Sequence, residues 1–224
     1  ASGSDLYVLP EMWTTGFAPH PEGIAETEAT SVIWMQNMAR QINAALCGSL
    51  AIRHDGAYRN RCFFCTPDGK SYTYDKHHLF TYGHEHQHYS AGQAPVVVEW
   101  QGFRLLLLTC YDLRFPVFSR YGRKDGAGEY DAIVCVANWP AKRQLAWDTL
   151  VRARAIENQC YMVAVNRVGD DPACHYAGGS VVVDPVGRAI AEAPQDATCS
   201  VAAVLDKQQL LAMRQHFRVL DDRD

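Results

Sequence analysis

Two stretches of this chain are apolar without alternation: Leu105-Leu106-Leu107-Leu108 and Ala132-Ile133-Val134-Cys135-Val136-Ala137. Uninterrupted runs of strand length fit strands buried on both faces, so other elements must supply cover on either side. Each run also stops abruptly on polar and aromatic residues. The first ends at Thr109-Cys110-Tyr111-Asp112 and the second at Asn138-Trp139-Pro140. A third short apolar segment, Leu6-Tyr7-Val8-Leu9-Pro10, delivers Glu11 at its end.

Cover is available from two helical patterns. Val32, Met35, Ala39, Ile42 and Leu46 recur at the three-and-four spacing of one helical face, with Cys47-Gly48 as the stop. Residues 141–158 predict a second long helix, with Ala146, Leu150, Ala153 and Ile156 as its buried stripe. Hairpins are predicted over residues 50–53, 61–66 and 71–79, with Pro67-Asp68-Gly69-Lys70 as a turn, and over 96–109 around Gln101-Gly102. A short helix is expected at 115–121, and residues 83–95 read as a His-rich loop. Later strands fall at 161–166, 180–183, 189–191 and 201–205, before a last helix around Leu210, Met213 and Phe217. Strands alternating with amphipathic helices, plus hairpins, imply an α/β fold with a mixed sheet covered by helices.

At 224 residues and 48% hydrophobic, the chain suits one domain with a sizeable core. Net charge is −4 and the Lys and Arg residues are scattered, which argues against nucleic acid as a partner. No apolar stretch reaches membrane-spanning length, so the reading is a soluble, cytoplasmic protein without a membrane partner. The eight cysteines are spread through apolar segments and read as reduced thiols rather than a disulfide framework. Cys62-Phe63-Phe64-Cys65 has CxxC spacing, but strand alternation points its two thiols differently.

Glu11, Lys76 and Cys110 each sit at the edge of a predicted strand. Lys76, flanked by Tyr74, Leu79 and Phe80, is partly desolvated and favours a nearby carboxylate or thiolate. A thiol beside such a cation shifts toward thiolate, and a carboxylate such as Glu11 can move its proton. Singly, the three read more simply as a core thiol, a surface cation and a helix-entry or loop carboxylate.

The segments LPEMWTTGF, YDKHHLF, TCYDLRFP and ARAIENQCYMVAVNRVG resemble the signatures of the nitrilase, or carbon–nitrogen hydrolase, superfamily and its ω-amidase branch. The resemblance covers residues 6–223. It implies a four-layer αββα sandwich with a Glu-Lys-Cys triad that needs no metal or cofactor. The triad maps to Glu11, Lys76 and Cys110, and the family's further glutamate to Glu85 by its distance from Gly92. The backbone N–H of Tyr111 is the expected oxyanion donor. The implied substrate is a small-molecule amide, the ω-amide of a short 2-oxo acid such as 2-oxoglutaramate, and the implied assembly is a homodimer.

Trp13, Phe17, Tyr89 and Trp139 are candidates to line the pocket, and equally ordinary core residues. A substrate carboxylate calls for a cation, for which Arg114 and Arg143 are candidates, although Arg114 beside Asp112 reads more simply as its structural partner. Other carbon–nitrogen hydrolase activities, nitrile or carbamoyl hydrolysis, meet the same triad.

Two rival readings remain. His84, His86 and His88 at period two suggest a metal-dependent hydrolase, against which stands the absence of a second ligand motif; the solvated loop is the preferred reading. A non-catalytic binding relative is the other. Relatives carry a strand and helix before the LPEM segment and run on past the end, whereas this chain begins Ala1-Ser2-Gly3-Ser4 and stops at Asp222-Arg223-Asp224. The expectation is either an incomplete sequence or a single domain, 1–224, lacking its first edge strand.

Overall fold

The computed structural model describes residues 3–27, 29–122 and 126–223. Ala1, Ser2 and Asp224, in the terminal segments mentioned above, lie outside them. One sheet holds β1 (Leu6–Val8), β2 (Ala45–His54), β3 (Ala57–Cys65) and β4 (Ser71–Asp75) in that order, with β1 parallel to β2 and the others antiparallel. The other is six-stranded. It contains β5 (Val96–Trp100), β6 (Phe103–Thr109), β7 (Ala132–Ala137), β8 (Tyr161–Asn166), β11 (Val181–Val183) and β12 (Ala189–Glu192), ordered β12-β11-β8-β7-β6-β5. A small hairpin of β9 (Val168–Asp170) and β10 (His175–Ala177) stands apart.

Side-chain alternation on these strands builds four layers. Leu105 and Leu107 of β6 meet Cys47, Cys62 and Phe64 of the first sheet in a core between the sheets. Leu106 and Leu108 point the other way, onto Trp147, Val151 and Ala155 of α4 (Gln144–Glu157). On the far face of the first sheet, Leu46, Leu50 and Phe63 pack against Val32, Met35 and Ala39 of α1 (Thr30–Ile42). The leucine run needs no alternation because both its faces are covered, and each fully buried leucine contributes about 1.5–3 kcal/mol. The protein is an αββα sandwich. Cys62 lies in the core between the sheets and Cys65 in the core under α1, so the CxxC thiols face opposite ways.

Several expected boundaries move. Helix α1 stops at Ile42, where Asn43 adopts a left-handed φ of 50°, and Leu46-Cys47-Gly48 belong to β2 instead of a helix end. A Cβ at Gly48 would lie 3.0 Å from the Leu9 Cβ, so that glycine serves the approach of the chain leaving β1. The buried stripe of α4 is Trp147, Val151, Arg154 and Ala155, not the expected alanine–leucine stripe; Ile156 is half exposed. Residues 83–95 are not wholly loop, since α2 (Glu85–His88) forms one helical turn there. Strand β4 ends at Asp75 rather than at residue 79. The expected helix at 115–121 shrinks to α3 (Pro116–Ser119) after a 3-10 turn over Cys110–Arg114. Residues 201–205 form no strand, although Leu205 still packs into the core between the sheets, ahead of α5 (Lys207–His216). Among the described residues, no helix is long and apolar enough to cross a membrane.

Candidate active site

The parallel strands β6, β7 and β8 finish side by side, with Thr109 opposite Val136 and Ala137 opposite Asn166. Their carboxyl ends therefore deliver Cys110 and Asn138 to one edge, the usual place for ligands in parallel sheets. From the facing sheet, the end of β1 brings Glu11 and the end of β4 brings Lys76 to the same edge.

Glu11, Lys76 and Glu85 form one buried cluster. The Lys76 Nζ donates to Glu11 Oε1 at 2.9 Å and to Glu85 Oε2 at 2.8 Å, and all three side chains are at most 1% exposed. The Asn60 amide donates to both carboxylates, at 2.7 Å to Glu11 and 3.0 Å to Glu85. The remaining Glu11 oxygen accepts from the Asn138 backbone N–H at 2.8 Å, and Glu85 also accepts from the Phe80 N–H at 2.6 Å. Burial pushes the Lys76 ammonium toward neutrality, but the Glu11 and Glu85 carboxylates overcome it and raise its pKa well above the ordinary value. Lys76 stays charged, held by two carboxylates at once.

Cys110 takes a left-handed φ of 47° where β6 breaks into the 3-10 turn. Asp112 fixes that turn: its buried carboxylate accepts from the Thr109 N–H at 2.9 Å, the Tyr74 hydroxyl at 2.7 Å and the His78 N–H at 2.9 Å. Arg154 of α4 reaches the Leu113 carbonyl at 2.7 Å from the other side. The thiol does not become the thiolate expected beside Lys76. Burial raises its pKa well above the ordinary value, Glu11 adds in the same direction, and the Lys76 ammonium opposes without prevailing. The resting site therefore holds a neutral thiol next to an ammonium and two carboxylates.

Above Cys110 and Lys76 opens a pocket of about 620 Å³, walled by Phe17, Phe80, Tyr111 and Trp139 and flanked by Arg114 and Arg143. Arg114 lies over the Trp139 ring at 4.7 Å and Arg143 over the Phe80 ring at 5.3 Å. Asp112 is committed to Tyr74, His78 and Thr109, so Arg114 is not its structural partner among the described contacts. Two expected lining residues are elsewhere. Trp13 packs against Trp34 of α1, the rings tilted at 41° with centroids 5.1 Å apart, and Tyr89 is buried against Met12 and Ala51 with its hydroxyl donating to the Ala18 carbonyl at 2.6 Å. His84 and His86 join no group of potential metal ligands among the described residues, whereas His88 approaches His20 and Glu22.

Asn60 was not anticipated, and Phe80 was expected only as an apolar flank of Lys76, not as a backbone donor to Glu85 or a pocket wall. An asparagine inside a strand has no periodic signature, although its near-complete burial marks it once the fold is known.

Residues 1–215 match the family of carbon-nitrogen hydrolases, and the chain belongs to it, as a hydrolase that acts on carbon–nitrogen bonds. Within that family it is 44% identical to the omega-amidase YafV of Escherichia coli (strain K12) over all of this chain and 86% of the relative. It is 34% identical to the 2-oxoglutaramate amidase of Bacillus subtilis (strain 168), over 98% of this chain and 85% of that one. Among solved structures, the CN-hydrolase superfamily protein XC1258 of Xanthomonas campestris superposes with a TM-score of 0.93 at 41% identity, covering 100% of this chain and 86% of its own.

Proposed function

We propose that the protein is a cysteine amidohydrolase that removes the terminal amide of a small 2-oxo acid, releasing ammonia through a thioester on Cys110. The observation that carries this reading is the meeting of the Cys110 thiol with a buried ammonium held between two carboxylates, at the floor of a pocket flanked by two arginines. The omega-amidase and 2-oxoglutaramate amidase relatives support the substrate class. The Xanthomonas relative holds an arsenic adduct in its active site, and arsenic is a soft partner suited to a thiol.

The raised thiol pKa sets the order of events. As Cys110 Sγ attacks the amide carbon, its proton passes to Glu11. The carbonyl electrons move onto oxygen, where the Lys76 ammonium and the Tyr111 N–H stabilise them; a single such donor is typically worth about 3–4 kcal/mol. The oxyanion then collapses, the C–N bond breaks, and Glu11 returns the proton to the departing nitrogen, which leaves as ammonia. Glu11 next takes a proton from water as the water oxygen attacks the thioester. The C–S bond breaks and that proton restores the thiol. Glu85 acts on Lys76 and, through Asn60, on the same donors as Glu11, so it is a positioning residue. Arg114 and Arg143 receive the carboxylate of the 2-oxo acid at the pocket wall.

The protein acts in the cytoplasm, where its free thiols stay reduced. It pairs as a homodimer through the outer face of α4, whose Leu145 and Ile156 are exposed.

An ammonia-release screen over ω-amides, nitriles and carbamoyl compounds, with Cys110→Ala as control, tests the reading. Release from 2-oxo ω-amides only by the unaltered protein is expected. Preferential release from nitriles or carbamoyl compounds overturns the substrate assignment, and unchanged release by Cys110→Ala overturns the mechanism.

A further inference from the structure

We propose that His20, Glu22 and His88 form a transition-metal site at the rim of the pocket, and that its occupancy slows turnover. One ligand atom from each of the three lies within 4.8 Å of the others. The His88 Nδ1 already sits 3.0 Å from Glu22 Oε1, and the His20 and His88 rings are 4.5 Å apart, centroid to centroid. Four-coordinate zinc with bonds near 2.0–2.1 Å places its ligands roughly 3.4 Å apart, so closure asks for about 1 Å of movement from side chains at or near the surface.

The two backbone segments that carry these ligands are ordered relative to one another. His20 stands between Pro19 and Pro21, and the Pro21 carbonyl closes a turn by accepting from the Ile24 and Ala25 N–H groups at 3.0 and 2.8 Å. His88 ends α2, and the next residue, Tyr89, ties that helix to the loop through its 2.6 Å bond to the Ala18 carbonyl. A cation arriving here needs little backbone rearrangement.

Two imidazoles and one carboxylate select zinc, cobalt, nickel or copper over magnesium and calcium, which prefer all-oxygen shells. Three protein ligands leave a position for water. The position of the site gives it a consequence. His20 lines the pocket, and α2 begins with Glu85, which holds Lys76. A bound ion would bridge the pocket rim to the helix that positions the ammonium, restricting both. Binding stands without the amidase reading; the effect on turnover rests on it.

The test uses the full chain and two probes. Co²⁺ titrated into Cys110→Ala protein, which lacks the thiol beside Lys76 but keeps Cys174 at the pocket wall, is expected to give a weak visible band at one equivalent, without the near-ultraviolet charge-transfer band of a thiolate ligand. Adding Glu22→Gln and His88→Gln should weaken that binding more than about 100-fold. Failure of the parent to bind, a thiolate band, or undiminished binding in the altered protein would each overturn the site. In the second arm, Zn²⁺ should slow ammonia release by the otherwise unaltered protein and leave the Glu22→Gln/His88→Gln protein, whose metal-free rate is unchanged, uninhibited. Equal inhibition of both overturns the regulatory role. Should no amide be turned over at all, the cobalt arm still decides the site.

Discussion

Lys76 carries the charge balance of the cluster, since its ammonium is the cation paired with both Glu11 and Glu85. Removing one member of a buried ion pair strands the others, at a typical cost of about 3–5 kcal/mol. Lys76→Met should therefore lose that much stability in urea denaturation and lose turnover as well. Asn60→Ala is milder. It leaves each carboxylate its contact with Lys76, costs about 1–3 kcal/mol, and should lower kcat while the protein remains folded. The thiol offers a test by pH. Because its pKa is raised, the reactive thiolate fraction grows as pH rises past the ordinary value, so alkylation of Cys110 by iodoacetamide should keep accelerating above pH 9.0. A plateau reached near neutrality would contradict the neutral-thiol resting state. At this scale, Glu11, Lys76 and Cys110 were legible because each closes a strand within a family signature. Trp13 and Tyr89 misled because aromatic character reports burial and not the wall that a ring faces.

Short turns do more to place the site than the long helices do. The 3-10 turn after β6 is held by Asp112 from within and by Arg154 from α4. Asp112→Leu would leave the Thr109, Tyr74 and His78 donors without their acceptor, so kcat should fall even where circular dichroism shows the fold intact. The segment after β4 is equally constrained. The Gly92 N–H donates to the Lys76 carbonyl at 3.0 Å, and a Cβ at Gly92 would meet the Asp75 carbonyl oxygen at 2.1 Å. Gly92→Ala must push this segment away from Lys76, lowering both thermal stability and turnover. These devices are hard to read in advance, because a one-turn helix such as α2 has no room for an apolar period. The end of α1 failed for a related reason: Leu46 fits the helical spacing, yet it also fits the alternation of β2. The long apolar runs of β6 and β7 were unambiguous because only double-sided burial explains them.

At the scale of the molecule, the sandwich buries many weak acids in their neutral forms. Burial raises the pKa of Tyr74, Tyr130, Cys110, Cys135 and Cys160 above their ordinary values of 10.0 for tyrosine and 9.0 for cysteine. Their folded forms hold protons that the unfolded chain releases. The stability they confer is complete below the unfolded values and is lost as pH rises through 9–10 toward the folded ones. The melting temperature should therefore fall steadily above pH 9.0, as scanning calorimetry would record. Assembly belongs to the same scale. With Leu145 81% and Ile156 50% exposed on α4, sedimentation should show a dimer that Leu145→Glu/Ile156→Glu converts to monomer.

The central claim, a thioester on Cys110, is tested most directly by acid-quenching the protein during turnover of a 2-oxo ω-amide and weighing the intact chain. The account predicts an added mass equal to the acyl group, located by peptide mapping to Cys110, and absent both from Cys110→Ala and from Glu11→Gln, which cannot take the thiol proton. Turnover without any adduct, or an adduct on another residue, would contradict it.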